Sequence, residues 1–296
     1  MLIPSVIVAL LGASLDQALA SQVSNGETSA AGACESAEEC FLAAAQPKER
    51  LGNQLTKDQV SALKLERLRL ITERFPGSIW AKRAGVLSGV LLVERNPSAA
   101  LPFLRAGQRD LPVLDDYLRL WMGEATLHLG EAKEAAGLFE SVVQAVPDSN
   151  LTGLVALRAG EAWYQAASCP EALGWLTKAV ASNEKDKDKD PLVPQAWLRM
   201  AACYLRAGQI ADGRTTLKQL WVRFAYAPEA KEAETLLLTN LGGEPWAASA
   251  EDYFNRAQAF LGQALHAEAI EELKKFLAIN RKSTRLNSSH SQQSRM

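Results

Sequence analysis

Between Lys57 and Asn280 apolar residues return every three or four positions with polar residues between them, the period of a helix that buries one face. The period predicts helices over 57–75, 79–95, 98–105, 113–129, 132–145, 149–167, 170–182, 192–207, 210–224, 228–239, 250–261 and 266–279. Short turns carrying Gly, Pro or Asn separate them, and several starts are marked: Pro170 as a first-turn proline, Asp115 and Ser149 as helix-entry residues. Alternating Val/Ile/Thr runs bounded by hairpin dipeptides, the signature of paired strands, do not occur. The pattern predicts an all-α chain without a sheet.

Internal similarity narrows the architecture. Gly123, Gly130, Ala135, Phe139 and Pro147 make one pass of small and bulky positions, and Gly160, Trp163, Ala172, Leu176 and Ala179 make a second. Trp197, Ala201, Tyr204 and Gly208 begin a third, and Tyr253, Ala257, Phe260, Ala269 and Leu273 a fourth. This order resembles the tetratricopeptide repeat, in which small residues fall where two helices of a hairpin cross and bulky ones fill the groove beside them. The intervals from Gly123 to Gly160, Ala201 and Ala257 are 37, 41 and 56 residues, so the repeat is irregular and the last interval must hold an extra helix at 228–239. The expectation is a curved α-solenoid of degenerate tetratricopeptide-like hairpins over 57–280.

The two ends read differently. Residues 1–20 combine an apolar stretch from Leu2 to Leu15 with Ala18-Leu19-Ala20, a signal peptide with its cleavage pattern, although no Lys or Arg precedes the run. Residues 21–56 are expected to be a flexible linker reaching the first helix start, with Cys34 and Cys40 spaced for a small disulfide loop whose pairing stays open. Residues 281–296, RKSTRLNSSHSQQSRM, lose all periodicity and resemble a translated sequencing adapter, and are expected to be disordered.

Composition changes this picture little. Hydrophobic residues make up 48% and charged residues 22% of 296, an ordinary globular balance. The full chain has 32 basic and 34 acidic residues; without the two ends 28 and 33 remain, a net charge of −5 that disfavours nucleic acid as a partner. With the signal removed, no stable membrane span is expected, and no cofactor or metal is called for: His128 and His266 stand alone, and Cys169 and Cys203 fall in helices as small apolar residues. Of the seven Trp, Trp163 and Trp197 fall on packing positions, Trp121 and Trp246 are less determined, and 184–190, EKDKDKD, reads as a solvated loop.

Arg74–Ala84 (RFPGSIWAKRA), Asp116–Gly130 (DYLRLWMGEATLHLG) and Asp252–Glu272 resemble the N-terminal superhelical region of soluble lytic transglycosylases. The resemblance implies a periplasmic scaffold on peptidoglycan, holding a separate lysozyme-like domain that cleaves the glycan with one Glu. That domain's motif, Glu-Ser followed by Gly-Leu-Met-Gln, is not met: Glu35-Ser36 and Glu140-Ser141 have no such sequel and read as surface residues. No catalytic, cofactor-binding or metal-binding residue is therefore assigned. Two functions stay open, the non-catalytic scaffold of a lytic transglycosylase, with the catalytic domain or the glycan as partner, and a free-standing repeat protein binding a peptide or an envelope-assembly partner.

Overall fold

In a computed structural model of the chain, residues 34–45, 55–182, 192–239, 243 and 245–293 are described, the last twelve of these by backbone alone. Residues 1–20, expected to be a signal peptide, and the charged run 184–190 lie outside the described residues. Among those described the only regular structure is helical.

The chain forms two units, residues 1–131 and 132–296. The first contains α1 (Ala37–Ala45), α2 (Lys57–Arg74), α3 (Ile79–Leu92), α4 (Pro97–Asp110), a 3-10 turn (Pro112–Leu114) and α5 (Asp115–His128). Their starts follow the local chemistry. Thr56 and Gln59 form a reciprocal capping box on α2, the Ser78 hydroxyl accepts from the Ala81 N–H at 3.0 Å, and Asn96 caps α4 ahead of Pro97. Cys40, Phe41 and Ala44 of α1 are buried against Leu68 and Ile71 of α2 and Ala84 and Leu87 of α3.

Helix α1 corrects the expectation of a linker over 21–56 at residues 37–45, while 21–33 and 46–54 lie outside the described residues. Nine residues are too short to show a helical stripe in sequence and too short to be stable alone. They are helical because a disulfide joins Cys34 to Cys40, Ser36 caps the Glu39 N–H at 3.2 Å, and one face is buried. Arg74 ties the loop down by donating to the Cys34 carbonyl at 3.3 Å.

The second unit contains α6 (Ala132–Ala145), α7 (Thr152–Gln165), α8 (Cys169–Ser182), α9 (Leu192–Arg206), α10 (Ile210–Arg223), α11 (Pro228–Leu238), α12 (Ala250–Gly262) and α13 (His266–Gln293). In each unit the substantial contacts join a helix to the next or next but one, as in α7 with α8 and α9, and α10 with α11 and α12. That is the packing of stacked hairpins, not of a bundle closed by distant helices. Helix α11 fills the longest interval between repeats.

Hairpin crossings fall on the small residues. A Cβ added to Gly160 would lie 2.6 Å from Leu176 Cγ, and Ala172, Leu176, Ala201, Ala257 and Ala269 are all buried. The turns repeat as well. Gly130, Ala167, Gly208 and Ala264 each stand two residues past a helix end with φ of +83°, +60°, +76° and +58°. At each turn the following N–H reaches back to the carbonyl five residues earlier: Glu131 to Thr126, Ser168 to Trp163, Gln209 to Tyr204 and Leu265 to Phe260, at 2.9–3.2 Å. This is a Schellman closure, and it recurs at the same 37-, 41- and 56-residue intervals as the crossing points. Two independent features therefore set one register.

The last helix differs from expectation. It runs to Gln293 instead of ending at 279 before a disordered segment. Extending a formed helix costs little per residue, and 281–293 contains neither Pro nor Gly to stop it.

Candidate functional site

The A-helices of two successive repeats, α7 and α9, lie side by side in the second unit and carry a cluster of polar and aromatic contacts. Tyr164, near the end of α7, is half-buried, with the guanidinium carbons of Arg206 and Arg199 at 4.0 and 5.5 Å from its ring centroid. Arg206 also donates to the Tyr164 carbonyl at 2.9 Å, so one side chain serves both the ring and the open end of α7. One turn back, Glu161 accepts from Arg158 at 2.7 Å and stands 3.7 Å from Arg199. Arg206 is exposed at the rim, while Glu161 is largely covered, its side chain 13% exposed. The ledge thus brings the Arg199 and Arg206 guanidinium groups to an aromatic ring, beside the shielded Glu161 carboxylate. Such a surface holds carboxylates by charge-assisted hydrogen bonds and flat or apolar groups by contact.

A second cluster braces the end of the same unit. Arg256 of α12 is buried, donates to Glu272 of α13 at 3.1 Å and to the Trp221 carbonyl, and lies 3.9 Å over the Trp221 ring. The Trp221 ring meets Trp246 edge-on at 4.9 Å and Tyr253 at 5.8 Å. Asp252 caps α12 with Ser249 and pairs with Lys218 at 3.0 Å. Burial works against ionisation of Asp252, but the Ser249 donors and the Lys218 ammonium outweigh it and hold the carboxyl below its usual value. Every charge here is used internally.

The residues weighed in the sequence take ordinary places. Ser36 is a helix cap, and Glu140 accepts from the Trp163 indole at 2.6 Å across α6 and α7. Trp197 packs 6.1 Å from Phe224, and Trp246 belongs to the Trp221 cluster. His128 and His266 are exposed at helix ends, and Cys169 and Cys203 are buried. No group of His, Cys, Asp and Glu among the described residues is placed to hold a metal, and no helix there is long and apolar enough to cross a membrane.

The ledge itself was missed in the sequence. Arg199 and Arg206 follow Tyr164 by 35 and 42 residues, and the three match no motif. Only the repeat register brings them together, since Glu161 follows the crossing residue Gly160 and Arg206 precedes the turn residue Gly208 by two.

One match to a family model falls on a hairpin of this register. Residues 195–225, which take in most of α9 and all of α10, match the tetratricopeptide repeat family model. A tetratricopeptide repeat protein from Parabacteroides merdae superposes with a TM-score of 0.51 at 14% identity, over 82% of this chain and 93% of that one. More distant are YrrB, described as a tetratricopeptide protein with an unusual peptide-binding site (TM-score 0.41, 16% identity, 77% and 99% covered), and MamA 41-end from Desulfovibrio magneticus RS-1 (0.38, 17%, 74% and 96%). No curated protein sequence matches the chain.

Proposed function

We propose that the chain, a tetratricopeptide-like helical-repeat protein, is a binding scaffold whose α7–α9 ledge holds an extended, carboxylate-bearing peptide segment of a protein partner. The observation that carries this is the approach of both Arg199 and Arg206 to the Tyr164 ring, a basic and aromatic ledge on a molecule that is otherwise acidic. Two adjacent A-helices offer a peptide both ionic anchors and ring contact without any moving part. The Cys34–Cys40 disulfide supports action in an oxidising compartment after export, which fits a partner of the cell envelope.

The test is binding of the purified chain to arrayed extended peptides of acidic, neutral and basic composition, followed by anisotropy titration of the best. Acidic peptides should bind, and replacing Arg199 and Arg206 together by Glu should weaken them at least tenfold while helicity is kept. Selection of basic peptides, or acidic binding indifferent to the double reversal, would sink the reading.

A second reading, the scaffold of a lytic transglycosylase, rests on the sequence motifs 74–84, 116–130 and 252–272. The structure gives those residues packing roles that any helical repeat protein could use. Ser78 caps α3, Trp80 lies 5.4 Å from Phe41, Leu118 and Leu120 are buried, and Arg256 pairs with Glu272. Digestion of purified sacculi, by this chain and by one extended with the genomic sequence after codon 280, separates the readings. Anhydro-muropeptides from the extended chain alone would favour the lyase scaffold.

A further inference from the structure

Two cysteines of the second unit have no part in the reading above. Cys169 is the first residue of α8, and Cys203 lies in the last turn of α9, the first helix of the next repeat. Both are buried in one apolar cluster with Ala172, Leu176 and Ala196, where the two thiols are neighbours. They are unequal: Cys169 retains 7% exposure and Cys203 none. Burial first, and then the neighbouring Cys169, push the Cys203 thiol up to about 12. Small buried hydrophobes would fill the same space, so packing alone does not require two sulfurs to meet across a repeat boundary.

We infer that Cys169 and Cys203 are a modification site, a dithiol that disulfide exchange closes into a second disulfide joining α8 to α9. The difference in exposure sets the order of events. Cys169, as the thiolate, attacks one sulfur of a small-molecule disulfide such as oxidised glutathione, forming a mixed disulfide and expelling one glutathione thiolate. The Cys203 thiol then gives up its proton and attacks the Cys169 sulfur, expelling the second glutathione. Two protons and two electrons leave the cysteine pair, and the oxidant is reduced to two thiols. Because the second thiol is buried and held protonated, the closing step is the slow one, and it accelerates as pH rises. The link spans the segment between α8 and α9, so it ties one repeat to the next and removes freedom from the unfolded chain.

The full chain, incubated with oxidised glutathione at pH 8.5 and digested without reduction, should contain a peptide pair joined through Cys169 and Cys203 beside the Cys34–Cys40 peptide. In a Cys203→Ser chain the reaction should stop at a glutathione adduct on Cys169. On a Cys34→Ala/Cys40→Ala background, where only this pair can respond, oxidation should raise the Tm by about 5 °C or more and dithiothreitol should reverse it. Both thiols still free once Cys34–Cys40 has formed, or a stable glutathione adduct on Cys169 of the wild-type chain, would overturn the inference. So would a joined pair that lowers the Tm.

Discussion

Four residues hold the same backbone position in four successive turns, and only two of them suit it. Gly130 and Gly208 carry no Cβ to meet the carbonyl that a positive φ brings near; Ala167 and Ala264 do. Both alanines are exposed and outside the core, so replacing either by Gly removes the clash without leaving a cavity. Ala167→Gly and Ala264→Gly should each stabilise the chain by about 1 kcal/mol, and Gly208→Ala should cost a similar amount, all read from urea unfolding midpoints at unchanged slope. A loss of stability in both Ala→Gly variants would mean that the turns are not held as described. These residues also show what could be read in the sequence. Gly130 and Gly208 mark their turns by type, whereas Ala167 and Ala264 do so only by lying the same distance past a small crossing residue. Tyr164, Arg199 and Arg206 carry neither mark, because the residue types of an exposed ledge are not constrained by packing.

The elements owe their ends to particular side chains, and two of these ends respond to conditions. At α12 the Ser249–Asp252 box and Lys218 hold the Asp252 carboxyl ionised to lower pH than in the unfolded chain. Its contribution is complete above the unfolded value near 3.8 and is lost as pH falls through the lower folded value. Asp252→Ala should cost about 1–2 kcal/mol at pH 7, and the gap to wild type should close as thermal melts move from pH 5 towards pH 3. A gap that widens on acidification would reverse the sign assigned to Asp252. At the other end of the chain, α1 has nine residues, one buried face and a short disulfide loop to hold it. Reducing that loop should cost about 2 kcal/mol, felt locally. Amide exchange in 37–45 should quicken on reduction while α2 and α3 stay protected; equal loss across all three helices would show that α1 is integral to the first unit's core. Periodicity missed this helix because three buried residues, Cys40, Phe41 and Ala44, do not make a stripe.

At the scale of the whole molecule, fold class and repeat register were legible because each depends on a pattern repeated many times. Helix period predicts twelve segments over 57–280, and small residues at crossing points predict how they pair. Features made once, such as the disulfide-held α1, the Arg256–Trp221 brace and the basic ledge, depend on contacts between residues far apart in sequence and left no periodic trace. The same stacking has a mechanical consequence. When a helix packs chiefly on its next one or two neighbours, damage at one hairpin has few routes to another. Phe260 tests this within the second unit: it is buried in the last hairpin, beneath Arg256, and lies far along the chain from α7 and α8. Phe260→Ala should cost about 3 kcal/mol and open α12 and α13 to amide exchange. Exchange in α7 and α8 should stay within about a factor of two of wild type, since additivity holds for sites without shared partners. Uniform loss of protection from α6 to α13 would show a single cooperative body in place of a chain of neighbours. Circular dichroism at the same temperature separates the outcomes, because local opening removes only the signal of the last two helices.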